Sequence, residues 1–282
     1  MPVVVETIST LQQAIARSKQ APVGLVPTMG ALHAGHLRLI DRARAETALV
    51  VVSVFVNPLQ FDQVSDLNTY PHDLERDVAL CATHGVDAVF APSVQEMYPV
   101  PPMCAVDVGV MADHLCGKFR PGHFRGVATV VLKLLNIVQP NIAYFGEKDA
   151  QQLAIIRRLV REFNVPISIV GVETVREADG LALSSRNARL GPEERAVAPA
   201  LQRALRTAAD AIAAGASDSG EIRRHAASAI PADGRLRLEY LEIVDPETMQ
   251  PVATVATEVC VAGAMWVGST RLIDNVTARP PR

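Results

Sequence analysis

The sequence predicts an α/β fold, a doubly wound parallel sheet over residues 1–174 followed by a smaller α+β domain over 175–282. Three observations carry that prediction. Strand-like and helix-like segments alternate through the first 175 residues. The strand-like ones are continuous apolar runs, as strands covered on both faces require. Beyond residue 175 the texture changes to Ala-rich helices and then to longer, alternating strands. In chain order, VGLVP at 23–27 is a strand, and HLRLIDRARAE at 36–46 is a helix whose Leu37, Ile40 and Ala43 recur at helical spacing. LVVVSVFV at 49–56 returns to β-branched residues. DLERDVALCATHG at 73–85 is a helix ended by glycine, and VDAVF at 86–90 the strand after it. VATVVLKLLNIV at 127–138 has a helical period despite its valines and stops before Pro140; IAYFG at 142–146, AQQLAIIRRLVREF at 150–163 and ISIVGVET at 167–174 add strand, helix and strand. In the second part, helices are expected from Pro192 to Ala216 and from Gly220 to Ile230, with strands at 236–244 and from 252 through 265 onward.

Composition narrows the function. With 282 residues the chain buries enough surface to fold without staples. A net charge of −3, with no basic stripe, argues against nucleic acid as a partner. Cys81, Cys104, Cys116 and Cys260 are scattered, without a CxxC pair or metal-spaced histidines, and read as reduced thiols of a cytoplasmic protein. The most apolar run, ALVVVSVFV at 48–56, falls far short of the ~20 residues a membrane helix needs.

The chemistry gathers at the ends of the predicted strands, where ligands collect in such folds. In VPTMGALHAGH, at 26–36, His33 and His36 are three apart and share one face of a helix's first turn, whose free N–H groups favour an anion. Two imidazole donors suit the α-phosphorus of a nucleotide as charge grows on it. Gly35 removes a side chain where something flat must approach the backbone. The plainer alternative is that one histidine caps the helix and the other decorates the surface. FGEKDAQQ at 145–152 puts Gly146 and Lys148 at a second strand-to-helix junction, where the ammonium can hold a triphosphate. LALSSRN at 181–187 offers two hydroxyls and a guanidinium in a loop able to wrap phosphates. KFRPGHFRG at 118–126 concentrates Lys118, Arg120, His123 and Arg125, a local positive charge suited to a small anion such as a carboxylate.

Taken in order, PTMGALHAGH (27–36), NPLQF (57–61), RPGHFRGV (120–127), YFGEKDAQQ (144–152) and LSSRN (183–187) resemble the pantoate–β-alanine ligase family, adenylate-forming enzymes of the HIGH-type nucleotidyltransferase superfamily. The likeness spans essentially the whole chain. It implies a Rossmann-like N-terminal domain that binds nucleotide and pantoate, a C-terminal lid domain, ATP with Mg²⁺ carried on its phosphates, and a homodimer. The family's nucleotide positions fall on Met29, Gly30, His33, Gly35 and His36, on Gly146, Lys148 and Asp149, on Val175, and on Leu183, Ser184, Ser185 and Arg186. Its pantoate contacts fall on Gln60 and Gln152, with Gln60 also touching β-alanine; Arg120 matches a substrate-site arginine, and Pro27 belongs to the same substrate set. Two positions depart from the pattern. Leu183 replaces a usual methionine, a volume-conserving change. Cys116 stands where some members have an acidic residue associated with Mg²⁺, and a thiol is a poor ligand for a hard cation, so no protein ligand for the metal is assigned. Cys116 is expected to serve packing, with Lys118 and Arg120 as its neighbouring cations.

The reaction that follows from the resemblance is attack of pantoate's carboxylate on ATP, then of β-alanine's amine on the resulting adenylate, with His33, His36, Lys148 and Arg186 as the catalytic donors. The rivals are another HxGH nucleotidylyltransferase, which would leave the nucleotide on its product, and a silent nucleotide-binding module.

Overall fold

The computed structural model describes residues 1–17, 22–62 and 64–281. They form two compact units: Met1–Val108 with Arg120–Glu147 and Ile155–Glu173, and Gly109–Phe119 with Lys148–Ala154 and Thr174–Arg282.

The first unit is built on β1 (Val3–Val5), α1 (Ile8–Arg17), β2 (Val23–Thr28), α2 (Ala34–Glu46), β3 (Leu49–Val54), α3 (Val64–Asn68), α4 (Leu74–Thr83), β4 (Ala88–Phe90) and α5 (Val94–Met97). After α6 (Leu115–Phe119), which belongs to the second unit, come α7 (His123–Val138), β5 (Ile142–Gly146), α8 (Ala150–Glu162) and β6 (Ser168–Val172). Six strands make one parallel sheet in the order β1-β4-β3-β2-β5-β6. This is the doubly wound, Rossmann-like sheet expected. Its strands are buried on both faces: Leu25, Val26, Val50, Val51 and Val52 are all fully enclosed. Val26, Val50, Val52 and Val89 pack with Leu39, Ile40 and Ala43 of α2 and Cys81 of α4. From β2 the chain winds outward through β3 and β4, then returns to the other side of β2 for β5 and β6. The switch point therefore lies between β2 and β5, paired at Gly24↔Ile142 and Leu25↔Ala143. In sheets of this kind the loops leaving the carboxyl ends of the strands at the switch point diverge, and ligands bind in the crevice between them.

The second unit contains α9 (Pro192–Val197), α10 (Ala200–Ala213), α11 (Ser219–Ser228) and an antiparallel sheet of β7 (Leu236–Val244), β8 (Val259–Val267) and β9 (Thr270–Ala278). Leu201, Ala204, Leu205, Ala208 and Ile212 of α10 pack with Ile243, Val261, Met265 and Leu272 of the sheet.

Several boundaries differ from the sequence expectation. The helix expected over 192–216 breaks at Pro199, which has no N–H to continue the ladder. The span expected from 252 is an irregular segment followed by a hairpin turning at Gly268, φ 56°. Helix α7 starts at His123, four residues before the expected Val127. Strand β1 and helix α1 add to the elements expected from the sequence. Among the described residues no helix is long and apolar enough to cross a membrane.

Candidate active site

The turn that follows β2 is held from outside. Gly30 (φ 81°) and Ala31 (φ 51°) are both left-handed, a conformation that costs a non-glycine residue about 1–2 kcal/mol. It directs the amides of Ala31 and Leu32 to the two carboxylate oxygens of Asp77 in α4, at 2.9 and 2.8 Å. Asp77 is only 1% exposed, and burial raises its carboxyl above the usual range, against the opposing pull of those two amides. A Cβ on Gly30 would stand 2.9 Å from Asp77 Oδ2 and 3.0 Å from Val54 Cγ1, so both the backbone and the space call for glycine.

Helix α2 begins with an imidazole capping box. His33 is the N-cap, extended at φ −136°, and its Nδ1 accepts from the Gly35 amide at 3.1 Å. His36, at N3, accepts on Nδ1 from the His33 amide at 3.4 Å, and the two rings lie 4.1 Å apart. Both capping bonds are made on Nδ1 of the ring. An Nδ1 that accepts carries no proton, so each neutral ring bears its hydrogen on Nε2. Gly35 has a nearer reason than an approaching ligand: a Cβ there would stand 2.8 Å from His33 Cε1, and the flat group against this backbone is the His33 ring.

Gln60 sits in a single 3₁₀ turn, Pro58–Gln60, and is buried at 9% exposure. Its Oε1 accepts from Asn57 Nδ2 at 3.2 Å, and its Nε2 points to Met29 Sδ at 3.0 Å. Asn57 in turn donates to the Gly126 carbonyl at 3.2 Å and accepts from the Tyr98 hydroxyl at 2.9 Å. Burial pushes Tyr98 up to about 12, so it remains a donor across working pH. His123 Nδ1 lies 2.7 Å from the Gln60 carbonyl, which Arg120 Nη2 also reaches at 3.3 Å. Arg120 is ion-paired with Asp62 at 3.0 Å. Of the basic cluster at 118–126, Arg120 and His123 are half-buried, whereas Lys118 and Arg125 are exposed.

In the second unit, Lys148 and Asp149 lie in the 3₁₀ turn between β5 and α8, and the Lys148 carbonyl accepts from Asn275 Nδ2 at 2.9 Å. The neighbouring Asp274 is buried and holds Arg176 through two contacts of 2.6 and 2.9 Å. Arg176 opens a tight loop in which the Leu183 amide donates to the Val175 carbonyl at 2.9 Å. Ser184 then caps the turn Ser185–Arg189, accepting from the Arg186 amide at 3.2 Å, while Asn187 donates to the Ala182 carbonyl at 3.1 Å. The residues Asp274 and Asn275 of β9 thus tie Lys148 and the Val175–Arg186 loop to one strand. Gln152 is half-buried in the first turn of α8, beside Gln151, which donates to the carbonyls of Met111 and His114 at 2.9 and 2.8 Å.

Every assigned position, from Pro27 and Met29 through Gly146 and Gln152 to Arg186, is buried or half-buried. Cys116 is buried, with Sγ 3.2 Å from the Tyr240 hydroxyl and 3.6 and 3.7 Å from the guanidinium of Arg271. The cation beside this thiol is therefore Arg271 of β9. Lys118 lies over the Phe119 ring at 5.9 Å, and Arg120 belongs to Asp62. A position already faced by a guanidinium does not suit Mg²⁺. Asp77, Asn57 and Tyr98 in the first unit, and Asn275 in the second, bond to assigned residues or to the turns that carry them, directly or through one another, contacts that only the structure reveals. For Asp77 one sign existed: in LERDVALC it shares a helix face with Cys81, where an apolar residue is the norm.

The family model described as pantoate-beta-alanine ligase matches residues 3–277. A pantothenate synthetase of Moorella thermoacetica is 51% identical over 273 residues, 96% of each chain. The crystal structure of pantothenate synthetase from Thermus thermophilus superposes with a TM-score of 0.93 at 49% identity, covering 99% of this chain and 100% of that one. The pantoate-beta-alanine ligase of Francisella tularensis, solved in complex with beta-gamma ATP and beta-alanine, superposes with a TM-score of 0.81 at 35% identity, covering 98% and 97% of the two chains.

Proposed function

This chain belongs to the pantoate-beta-alanine ligase family, and on that premise we propose how its residues make pantothenate. Pantoate's carboxylate attacks the α-phosphorus of ATP, pyrophosphate leaves, and a pantoyl adenylate remains bound. The amine of β-alanine then attacks the mixed anhydride, forming the amide and releasing AMP. The Francisella tularensis complex supports ATP and β-alanine as ligands.

One observation carries the reading: both imidazoles at the start of α2 accept backbone amides on Nδ1, which assigns Nε2–H as the donor of each. Two such donors at a helix N-terminus stabilise negative charge growing on a phosphate, each worth about 3 kcal/mol. Lys148 and Arg186 add charge, with Met29, Gly30, Gly35, Gly146, Asp149, Val175, Leu183, Ser184 and Ser185 completing the nucleotide set. Gln60 and Gln152 orient pantoate through amides that donate and accept without adding charge, alongside Pro27 and Arg120. Alignment of the reactants contributes a further ~7–11 kcal/mol. Mg²⁺ enters as the counter-ion of the ATP phosphates, and no residue is assigned to ligate it. Residues 1–174 form the Rossmann-like nucleotide- and pantoate-binding domain and residues 175–282 the smaller α+β lid domain, from which Val175, Leu183, Ser184, Ser185 and Arg186 add to the nucleotide set. The chain acts as a homodimer, for which sedimentation should give about twice the chain mass.

The test uses the half-reaction. With pantoate and without β-alanine, the purified protein should exchange labelled pyrophosphate into ATP; with β-alanine it should release AMP and an amide. Exchange that strictly requires β-alanine overturns the two-step scheme, and a product that retains the nucleotide makes the protein a nucleotidylyltransferase instead.

A further inference from the structure

We propose that Asp77 is a positioning residue of this site: its buried carboxylate holds the Gly30–Leu32 turn in the shape that places the start of α2, and so the imidazoles of His33 and His36, against the nucleotide. The inference rests on the reading of that helix start as the ATP site.

Successive backbone N–H groups in a turn can point to one side and make a concavity for an anion. Here the amides of Ala31 and Leu32 form that concavity, and a carboxylate from α4 fills it, one oxygen to each N–H. Neither amide has a partner in α2, since the ladder of that helix begins with the Leu37 amide on the His33 carbonyl. Without Asp77 the turn loses the compensation for its strain, and His33, the next residue after Leu32, loses its fixed origin. The geometry asks for a carboxylate specifically. Asparagine offers one acceptor, and its NH₂ would face the second amide N–H. Asp77 is fully enclosed, so burial penalises its charge, and the residue would be a liability on α4 if it served packing alone. A filled concavity has a second effect: it denies the ATP phosphates a competing cluster of N–H groups one turn before the capping box.

The experiment compares the wild-type protein with Asp77→Asn and Asp77→Glu, the latter keeping the carboxylate but displacing it by one methylene. Calorimetric ATP binding, kcat, the KM values for ATP and pantoate, and thermal unfolding are measured for each. Asp77→Asn should remain folded, lose at least tenfold in kcat and bind ATP several-fold more weakly, with the KM for pantoate changed less than twofold. Asp77→Glu should show the same pattern in milder form and decides the question if Asp77→Asn does not fold. A lower melting temperature with wild-type kinetics in the folded variant would mean that Asp77 only supports the fold, and overturns the proposal. Wild-type protein that binds no ATP overturns the site assignment itself, a result distinct from wild-type-like variants.

Discussion

On the proposed function His33 does two jobs with one ring, as helix cap and as phosphate donor, and substitution can separate them. Asparagine is among the best N-caps and keeps an acceptor for the Gly35 amide, but it has nothing in place of Nε2–H. His33→Asn should therefore melt close to wild type while turnover falls by ~10²–10³. His33→Ala should lose the same turnover and about 1 kcal/mol of stability besides. Unfolding curves and steady-state rates on the two variants distinguish the roles, and near-normal turnover in His33→Asn would reduce His33 to a cap. HAGH could be read from the sequence because its chemistry is contiguous: a strand, a turn and two histidines at helical spacing. Asp77 and Asn57 could not be read in that way. Asp77 bonds to backbone amides 45 and 46 residues away, and Asn57 bonds to a carbonyl 69 residues on, so neither pairing leaves a pattern along the chain.

Among the elements, α7 shows why a helix can begin before its periodicity does. RPGHFRG has the proline and glycines of a loop, yet His123 opens the helix with its ring on the Gln60 carbonyl, and Gly126 brings the backbone against the Pro58–Gln60 turn. A Cβ at Gly126 would collide with the Leu59 carbonyl. Gly126→Ala should cost about 1–3 kcal/mol by overpacking, despite alanine's better helix propensity, and should raise the KM for pantoate by displacing Gln60. Denaturant midpoints and pantoate kinetics check this; a stabilised variant with normal KM would contradict it. The hairpin of β8 and β9 did carry a signal in VGST at 267–270, a two-residue Gly-Ser turn, which the apolar alternation on both sides concealed. The strands of the parallel sheet were easier, since continuous β-branched runs have few other uses.

For the whole molecule, the thiols provide a global probe. Cys104 is exposed, while Cys81 and Cys260 are buried and pushed from 9.0 up to about 12, chiefly by burial and secondarily by Asp77 and Asp274 respectively. Native protein at pH 8 should take up about one alkylating group per chain, at Cys104, and four after unfolding. Because the folded-state values are raised, the stability these two thiols contribute is complete below pH 9 and is lost as pH rises toward 12. The melting temperature should therefore fall on that limb, less steeply in Cys81→Ala and Cys260→Ala when each is referred to its own value at pH 7; equal slopes would remove the thiols from the account. The strand order has a consequence for the protein's birth. Central strand β2 is finished at Thr28, but its neighbour β5 is not complete until Gly146. At about 5–20 residues per second of translation, one edge of β2 waits on the order of ten seconds for its partner to be made. During that interval β2 of the nascent chain lacks its β5 partner, a delay that refolding of the finished chain does not impose.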